Sequence, residues 1–283
     1  TGQVLGSHGA TVYKDKEGRR WLFKPQASFL TDLDIGTAKI QSKAMQTRPG
    51  VYKITLNGQQ GSLQYMFQSK SAWPGGSFNP TALSPADIAT IQETQIFDWM
   101  VSNFDTHSGQ WIRLQDGTLF ETDKCQAFKF FGHDKLDWDY VPVTPLGSDK
   151  LTYVPLWRAF VQGQNVNLQN PTTGELGAYI DRLMAIDDQT YRDLLRPYAA
   201  AVKSGPQLEA FLDAAVARKN HLKQDFEEFW QKAVAARNAN LPHVTPAVPA
   251  SGSPVAAINY DRTFYVKTVA GTPTCSLAIS GGP

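Results

Sequence analysis

Only two cysteines occur in 283 residues, Cys125 and Cys275, which excludes a disulfide framework as the source of stability. The five histidines are scattered, with no HExxH and no Cys/His cluster, so a structural zinc centre is not expected. No apolar run approaches the roughly 20 residues that a membrane-spanning helix needs. Charge of one sign is also missing: 27 Lys and Arg stand against 26 Asp and Glu, a formal net charge of +1. There is thus no global electrostatic case for a nucleic acid or an anionic membrane as partner. No internal repeat is found, which argues against solenoids and propellers. The opening residues, "TGQVLGSHGA", have neither a basic n-region nor an apolar h-region. No signal peptide is expected from them, and a reducing, cytoplasmic location is.

What remains is an ordinary globular composition, 42% hydrophobic and 19% charged. The first third reads as strands. "ATVYKD" and "RRWLFKP" flank Lys16-Glu17-Gly18, and "VYKITLNG" and "GSLQYMFQ" form a second pair. Between the pairs, "DIGTAKIQSKAMQ" suits a helix, giving a β-β-α-β-β order. "SAWPGGSFNP", residues 71–80, reads as a connector. Ser84-Pro85-Ala86-Asp87 then starts a helix, with Ser as cap and Pro in the first turn. Ile88, Ile91, Ile96, Trp99 and Met100 give it one apolar face. "QWIRL" and "TLFETD" flank an Asp116-Gly117 hairpin signal. "LWRAF" predicts a short helix, and the chain from 172 is mostly helical. Its longest helix holds a stripe from Leu208 to Val234. "LPHVTPAVPASGSP" reads as a linker, followed by a strand-like "RTFYVKTV". The expectation is an α+β, bilobal protein: a small antiparallel β-rich N-lobe (1–70), a mainly helical C-lobe (71–241), and a Pro-rich linker and tail (242–283).

Polar groups concentrate in "VSNFDTHSGQWI", residues 101–112, between a core helix and a hairpin. Asp105, Gln110 and Asp123 could bind a hard cation through oxygen. Magnesium suits such a set, because it takes one or two protein oxygens and fills its octahedron with phosphate and water. Lys24, at the end of a strand, supplies a positive group, and Gly6-Ser7-His8-Gly9 could cover phosphates with backbone N–H groups. Together these parts describe a phosphoryl-transfer site. Each has a plainer reading: a strand-end lysine ordinarily snorkels, and loop aspartates cap turns.

These segments resemble, in order and context, the atypical branch of the protein-kinase-like superfamily: phosphatidylinositol kinases, actin-fragmin kinase and HipA-type kinases. "GSHGATVYKDKEGRRWLFKP" is similar to their glycine-loop, hairpin and lysine-strand segment; "GSLQYMF" to their hinge strand; "NFDTHSGQWI" to their catalytic loop; "ETDKCQAF" to their metal-binding segment. The resemblance implies a kinase-like fold and an ATP-dependent transfer of the γ-phosphate to a hydroxyl, with Ser or Thr of a protein or peptide the expected acceptor. It implies that Lys24 pairs with ATP phosphates, that Asp105 is the catalytic base, and that Asn103 and His107 brace the loop. Asp123 would bind Mg²⁺, and Gln64, Tyr65 and Met66 would line an adenine slot whose backbone groups pair the base.

Two departures stand out. Gln110 occupies the place of the family's second metal ligand, an Asn. The helix that should offer a Glu to the lysine has none, so only Gln41 or Gln46 is in reach, or Asp32 or Asp34 from just before the helix. Alternatives are therefore a pseudokinase, an AMP-transferring enzyme, or a lipid or small-molecule kinase on the same fold. A non-nucleotide assembly protein that docks by its tail is a further reading.

Overall fold

The computed structural model describes residues 3–5, 9–44, 50–67, 69–72, 79–140, 142, 151–241, 267–269 and 272–274. The chain forms two compact units, 1–241 and 242–283. In the second, β9 (Lys267–Val269) pairs antiparallel with β10 (Thr272–Thr274). The strand expected at "RTFYVKTV" therefore pairs with a tail strand that the sequence did not suggest. The expected linker at 242–254 lies outside the described residues.

The first unit is α+β. A five-stranded antiparallel sheet comes first, in the order β1-β2-β3-β5-β4. It comprises β1 (Gln3–Leu5), β2 (Ala10–Lys14), β3 (Arg20–Pro25), β4 (Val51–Leu56) and β5 (Gln59–Tyr65). Both hairpins fall where the turn residues placed them. Gly18 and Gly58 have φ of +78° and +77°, a region open to glycine.

Helix α1 (Ser28–Ala44) crosses between β3 and β4 and starts six residues earlier than its expected segment. It is clamped onto the helical part of the unit. A Cβ on Gly36 would lie 2.6 Å from the Leu194 carbonyl oxygen, so only glycine permits this approach. Arg182 Nε donates to the Ala44 carbonyl at 2.9 Å.

The helical part contains α2 (Pro85–Met100), α3 (Tyr153–Val161), α4 (Gly174–Met184), α5 (Asp188–Val202) and α6 (Pro206–Asn240). Ser84 Oγ accepts the Asp87 N–H at 3.1 Å, the expected cap of α2. Ile88, Ile91, Ile96, Phe97 and Met100 are buried, and on α6 so are Leu212, Leu222, Phe226 and Phe229. This core takes in Leu33, Ile40 and Ala44 of α1.

A second antiparallel sheet, β6-β7-β8, is made by β6 (Ser69–Ala72), β7 (Trp111–Leu114) and β8 (Leu119–Glu121). Residues 71 and 72, expected in a connector, belong to β6 and extend the β7–β8 hairpin. Arg113 anchors that hairpin to α2 through Asp87, at 3.0 and 3.1 Å.

Candidate active site

Three segments far apart in sequence meet at one place. Lys24 lies on β3 opposite Ser62 of β5. Its Nζ is 2.9 Å from Asp123 Oδ1, just past β8, with the two side chains 13% and 27% exposed. Asp34, now inside α1, is buried beside them, its Oδ2 accepting from Gln26 Nε2 at 2.8 Å and Ser62 Oγ at 3.3 Å.

Burial by itself would lower the Lys24 pKa; the charges of Asp34 and then Asp123 outweigh it and hold the ammonium protonated well above its usual range. Burial pushes the Asp34 carboxyl up against the opposing charge of Lys24. For Asp123, burial opposes ionisation, but the Lys24 charge and its hydrogen bond win and lower the pKa. Of the acids the sequence offered in place of a helix Glu, Asp34 is the one whose charge acts on Lys24. Asp32 pairs instead with Lys53 at 2.9 Å, Gln41 lies elsewhere in the cleft, and Gln46 is outside the described residues.

The loop after α2 is held by buried hydrogen bonds. Asn103 Nδ2 donates to Asp98 Oδ1 at 3.0 Å and to Thr106 Oγ1 at 3.1 Å, and Thr106 Oγ1 donates to Asp98 Oδ2 at 2.6 Å. The Thr152 N–H adds a bond to the Thr106 carbonyl at 2.9 Å. His107 Nδ1 accepts the Gly109 N–H at 3.0 Å, a local brace.

Asp105 projects half-buried from this frame, accepting from Gln110 Nε2 at 3.1 Å. Burial raises its pKa and the nearby Asp123 charge adds to this, against the lowering effects of His107, Gln110 and Lys129. The β7–β8 hairpin explains why Gln110 and Asp123 are neighbours. The Thr122 N–H and hydroxyl both donate to the Gln110 carbonyl, at 2.9 and 3.0 Å.

Asp123 itself has φ +78°, unusual for a residue with a side chain. Its Oδ1 accepts the Cys125 N–H at 3.1 Å, which secures this turn. Sequence reasoning missed the next residue. Lys124 is buried, with Nζ 2.8 Å from Asp98 Oδ1 and 2.6 Å from Glu121 Oε2. The same Asp98 that frames the Asp105 loop therefore holds the segment carrying Asp123. Nothing in the spacing of 98, 121 and 124 announces that contact.

Between β5, α1 and the β7–β8 hairpin lies a cleft of about 880 Å³, its open mouth included. Gln64, Tyr65 and Met66 line it, together with apolar Leu22, Ala38, Val51 and Phe120 and the acids Asp34 and Asp123. One expectation changes: the Met66 N–H already donates to the Arg20 carbonyl at 2.9 Å, so it is engaged within the sheet. Gly6, Ser7 and His8 lie outside the described residues, and Gly9 is an exposed turn residue with φ +69°.

The chain is similar in structure to the proinflammatory kinase CtkA of Helicobacter pylori, with a TM-score of 0.45 and 10% sequence identity, covering 83% of this chain and 94% of that one. It is also similar to a chain from the Shewanella oneidensis MR-1 complex of the toxin–antitoxin proteins HipA and HipB with operator DNA, with a TM-score of 0.38 and 9% identity, covering 83% and 67%. No protein-family model and no curated protein matches the sequence.

Proposed function

We propose that this protein is an ATP-dependent phosphotransferase that moves the γ-phosphate to a hydroxyl, with Ser or Thr of a protein or peptide as the acceptor. The observation that carries this reading is the meeting of Lys24, from β3, with Asp123, a hundred positions later, at 2.9 Å and against Asp34 of α1. An ammonium that burial opposes is kept charged by two acids, and both acids line a cleft that is otherwise largely apolar. That is the polarity a nucleoside triphosphate requires.

In the transfer, the bond from the γ-phosphorus to the β-bridging oxygen breaks and a bond from the acceptor oxygen forms. The acceptor proton goes to Asp105. Its raised carboxyl pKa suits proton acceptance better than an ordinary aspartate would. Lys24 neutralises phosphate oxygens, and Asp34 keeps it oriented when Asp123 turns to other partners.

Magnesium fits the donor set. Among the described residues no three His, Cys, Asp or Glu side chains cluster to hold a metal ion, but magnesium needs only one or two protein oxygens beside phosphate and water. Gln110 Oε1 is buried without a hydrogen-bond partner while its Nε2 is committed to Asp105. Asp34 and Asp123 both act on Lys24, and Asp105 feels the Asp123 charge, an accumulation of acid that would repel a polyphosphate arriving without a cation. Asp123 and Gln110 are the residues that would hold the metal, which when bound supplies phosphate charge neutralisation.

The Asp34 charge acting on Lys24 supports turnover over the pseudokinase reading. The test is ATP turnover and mass spectrometry of the product with the wild type, Asp105→Ala and Asp123→Ala. A gain of one phosphate by the target, lost in both variants, is expected. Activity unchanged in both ends the assignment; a gain of AMP moves it to nucleotidyl transfer.

A further inference from the structure

Asp123 carries two commitments that conflict. It is one of the two residues assigned above to a magnesium ion, and its Oδ1 already accepts Lys24 Nζ at 2.9 Å and the Cys125 N–H at 3.1 Å. The carboxylate lines the open cleft and its side chain is 27% exposed, so a hydrated cation can reach it. Access is therefore not the obstacle. The obstacle is an ammonium only 13% exposed, whose charge water and salt screen poorly. A dication on either oxygen of Asp123 lies beside that ammonium and is repelled by it.

Lys24 has a second acid to stay with. Asp34 acts on it through its charge, while Asp34 Oδ2 is fixed by Gln26 Nε2 at 2.8 Å and Ser62 Oγ at 3.3 Å. The position of Asp34 therefore does not depend on the lysine. When a polyphosphate offers its oxygens, the ammonium can leave Asp123 without losing the field of Asp34. Lys124, the next residue along, cannot take its place on Asp123, because Asp98 and Glu121 hold its Nζ at 2.8 and 2.6 Å.

We propose that Lys24 guards Asp123 against divalent cations, so that the site accepts its cation together with an anionic ligand and not ahead of it. This rests on the assignment of Asp123 as a metal ligand under the proposed function. Lys24 then has a task before any transfer: it holds the carboxylate that the cation would take, and releases it when phosphate oxygens draw the ammonium away. By linkage, the anion tightens the cation by the same factor by which the cation tightens the anion.

The experiment titrates Mn²⁺, a probe for oxygen sites of the magnesium type, into the full chain without nucleotide, with free Mn²⁺ read by electron paramagnetic resonance. Lys24→Met, which keeps an unbranched side chain and removes its charge, is expected to bind a single Mn²⁺ roughly tenfold more tightly than the wild type, or better. Adding Asp123→Asn should abolish that gain, and adding Asp34→Asn should keep most of it. Lys24→Met with Asp34→Asn removes a buried acid along with the lysine, so it carries the measurement should the single variant not fold. A folded variant that binds Mn²⁺ no more tightly than the wild type overturns the inference, and so does a gain that survives Asp123→Asn. ATP binding by the wild type in magnesium buffer is measured separately. If ATP does not bind and the Asp123-dependent gain is present, the nucleotide reading fails and the guard stands. If ATP binds and the gain is missing, the guard fails alone.

Discussion

Replacing Lys124 by methionine removes the ammonium that lies 2.8 Å from Asp98 and 2.6 Å from Glu121. Both acids are 1% exposed and the lysine 5%, so water cannot take over the lost charge. Breaking a buried ion pair from one side leaves an uncompensated charge and costs about 3–5 kcal/mol. Asp98 keeps its bonds from Asn103 and Thr106, which argues for the lower end of that range. For a chain of this size the loss corresponds to roughly 6–20 °C in melting temperature. Urea unfolding followed by tryptophan fluorescence measures it, and Trp111, which pairs with Glu121 across the hairpin, reports locally. Adding Glu121→Gln to Lys124→Met should recover roughly 2 kcal/mol, because it removes one of the stranded charges. The single variant should also lose turnover under conditions where it remains folded, since Asp98 couples the Asp105 loop to the Asp123 segment. An unfolding midpoint that does not move, or a double variant no more stable than the single, refutes the reasoning.

Gly36→Ala should destabilise the protein despite alanine's helix-propensity gain of about 1 kcal/mol. The added Cβ meets the Leu194 carbonyl oxygen at 2.6 Å, and overpacking costs about 1–3 kcal/mol. A melting temperature equal to or above that of the wild type would show that α1 is not held as described. Asp34→Asn should preserve the fold and reduce turnover roughly 10²-fold, the scale of losing one preorganised charge interaction; steady-state kinetics that leave kcat/KM intact would remove Asp34 from the site. Asp15 gives a pH test. Partial burial would raise its carboxyl, but hydrogen bonds from Trp21 and Arg19 and the Arg19 charge bring it down from 3.8 to about 2. A depressed folded-state pKa contributes stability that is present above the ordinary value and lost as pH falls through the depressed one. Asp15→Asn should therefore melt below the wild type at pH 6, with the gap closing between pH 4 and 2. A gap that does not narrow would assign the loss to geometry and not to charge.

Much of this was legible because local chemistry determined it. The turn at Lys16-Glu17-Gly18, the Ser84 cap, the Asp116-Gly117 hairpin and the α6 stripe each rest on residues within one turn or one helix face. The meeting of Lys24 with Asp123 was legible only as a wager on the order of motifs. Proline and glycine in "SAWPGGSFNP" concealed β6, whose pairing with β7 is a long-range event that composition does not register. The Asp98–Glu121–Lys124 cluster was invisible for the same reason. A buried charge leaves no periodic trace, and its partners are set by how α2 packs against the hairpin.

The start of α1 shows how one boundary decides a chemical conclusion. A helix begun at Asp34 makes that residue a cap and leaves it one candidate among several, beside Asp32, Gln41 and Gln46, for the lysine's partner. In the structure the helix begins at Ser28, and the Leu30 and Thr31 N–H groups already donate to the Ala27 carbonyl, both at 3.1 Å. The buried set Thr31, Leu33, Asp34, Gly36, Thr37, Ile40, Gln41 and Ala44 then forms one face. Asp34 and Gln41, seven positions apart, fall on that face two turns from each other. The weak signal was the recurrence of Leu33, Ile40 and Ala44 at helical spacing, which extends the apolar stripe back past Asp34. Once that stripe is followed, Asp34 near Lys24 and Gln41, whose buried Nε2 has no hydrogen-bond partner, cease to be separate puzzles. They are the two ends of one helix face, held in place by a glycine that lets the helix touch α5.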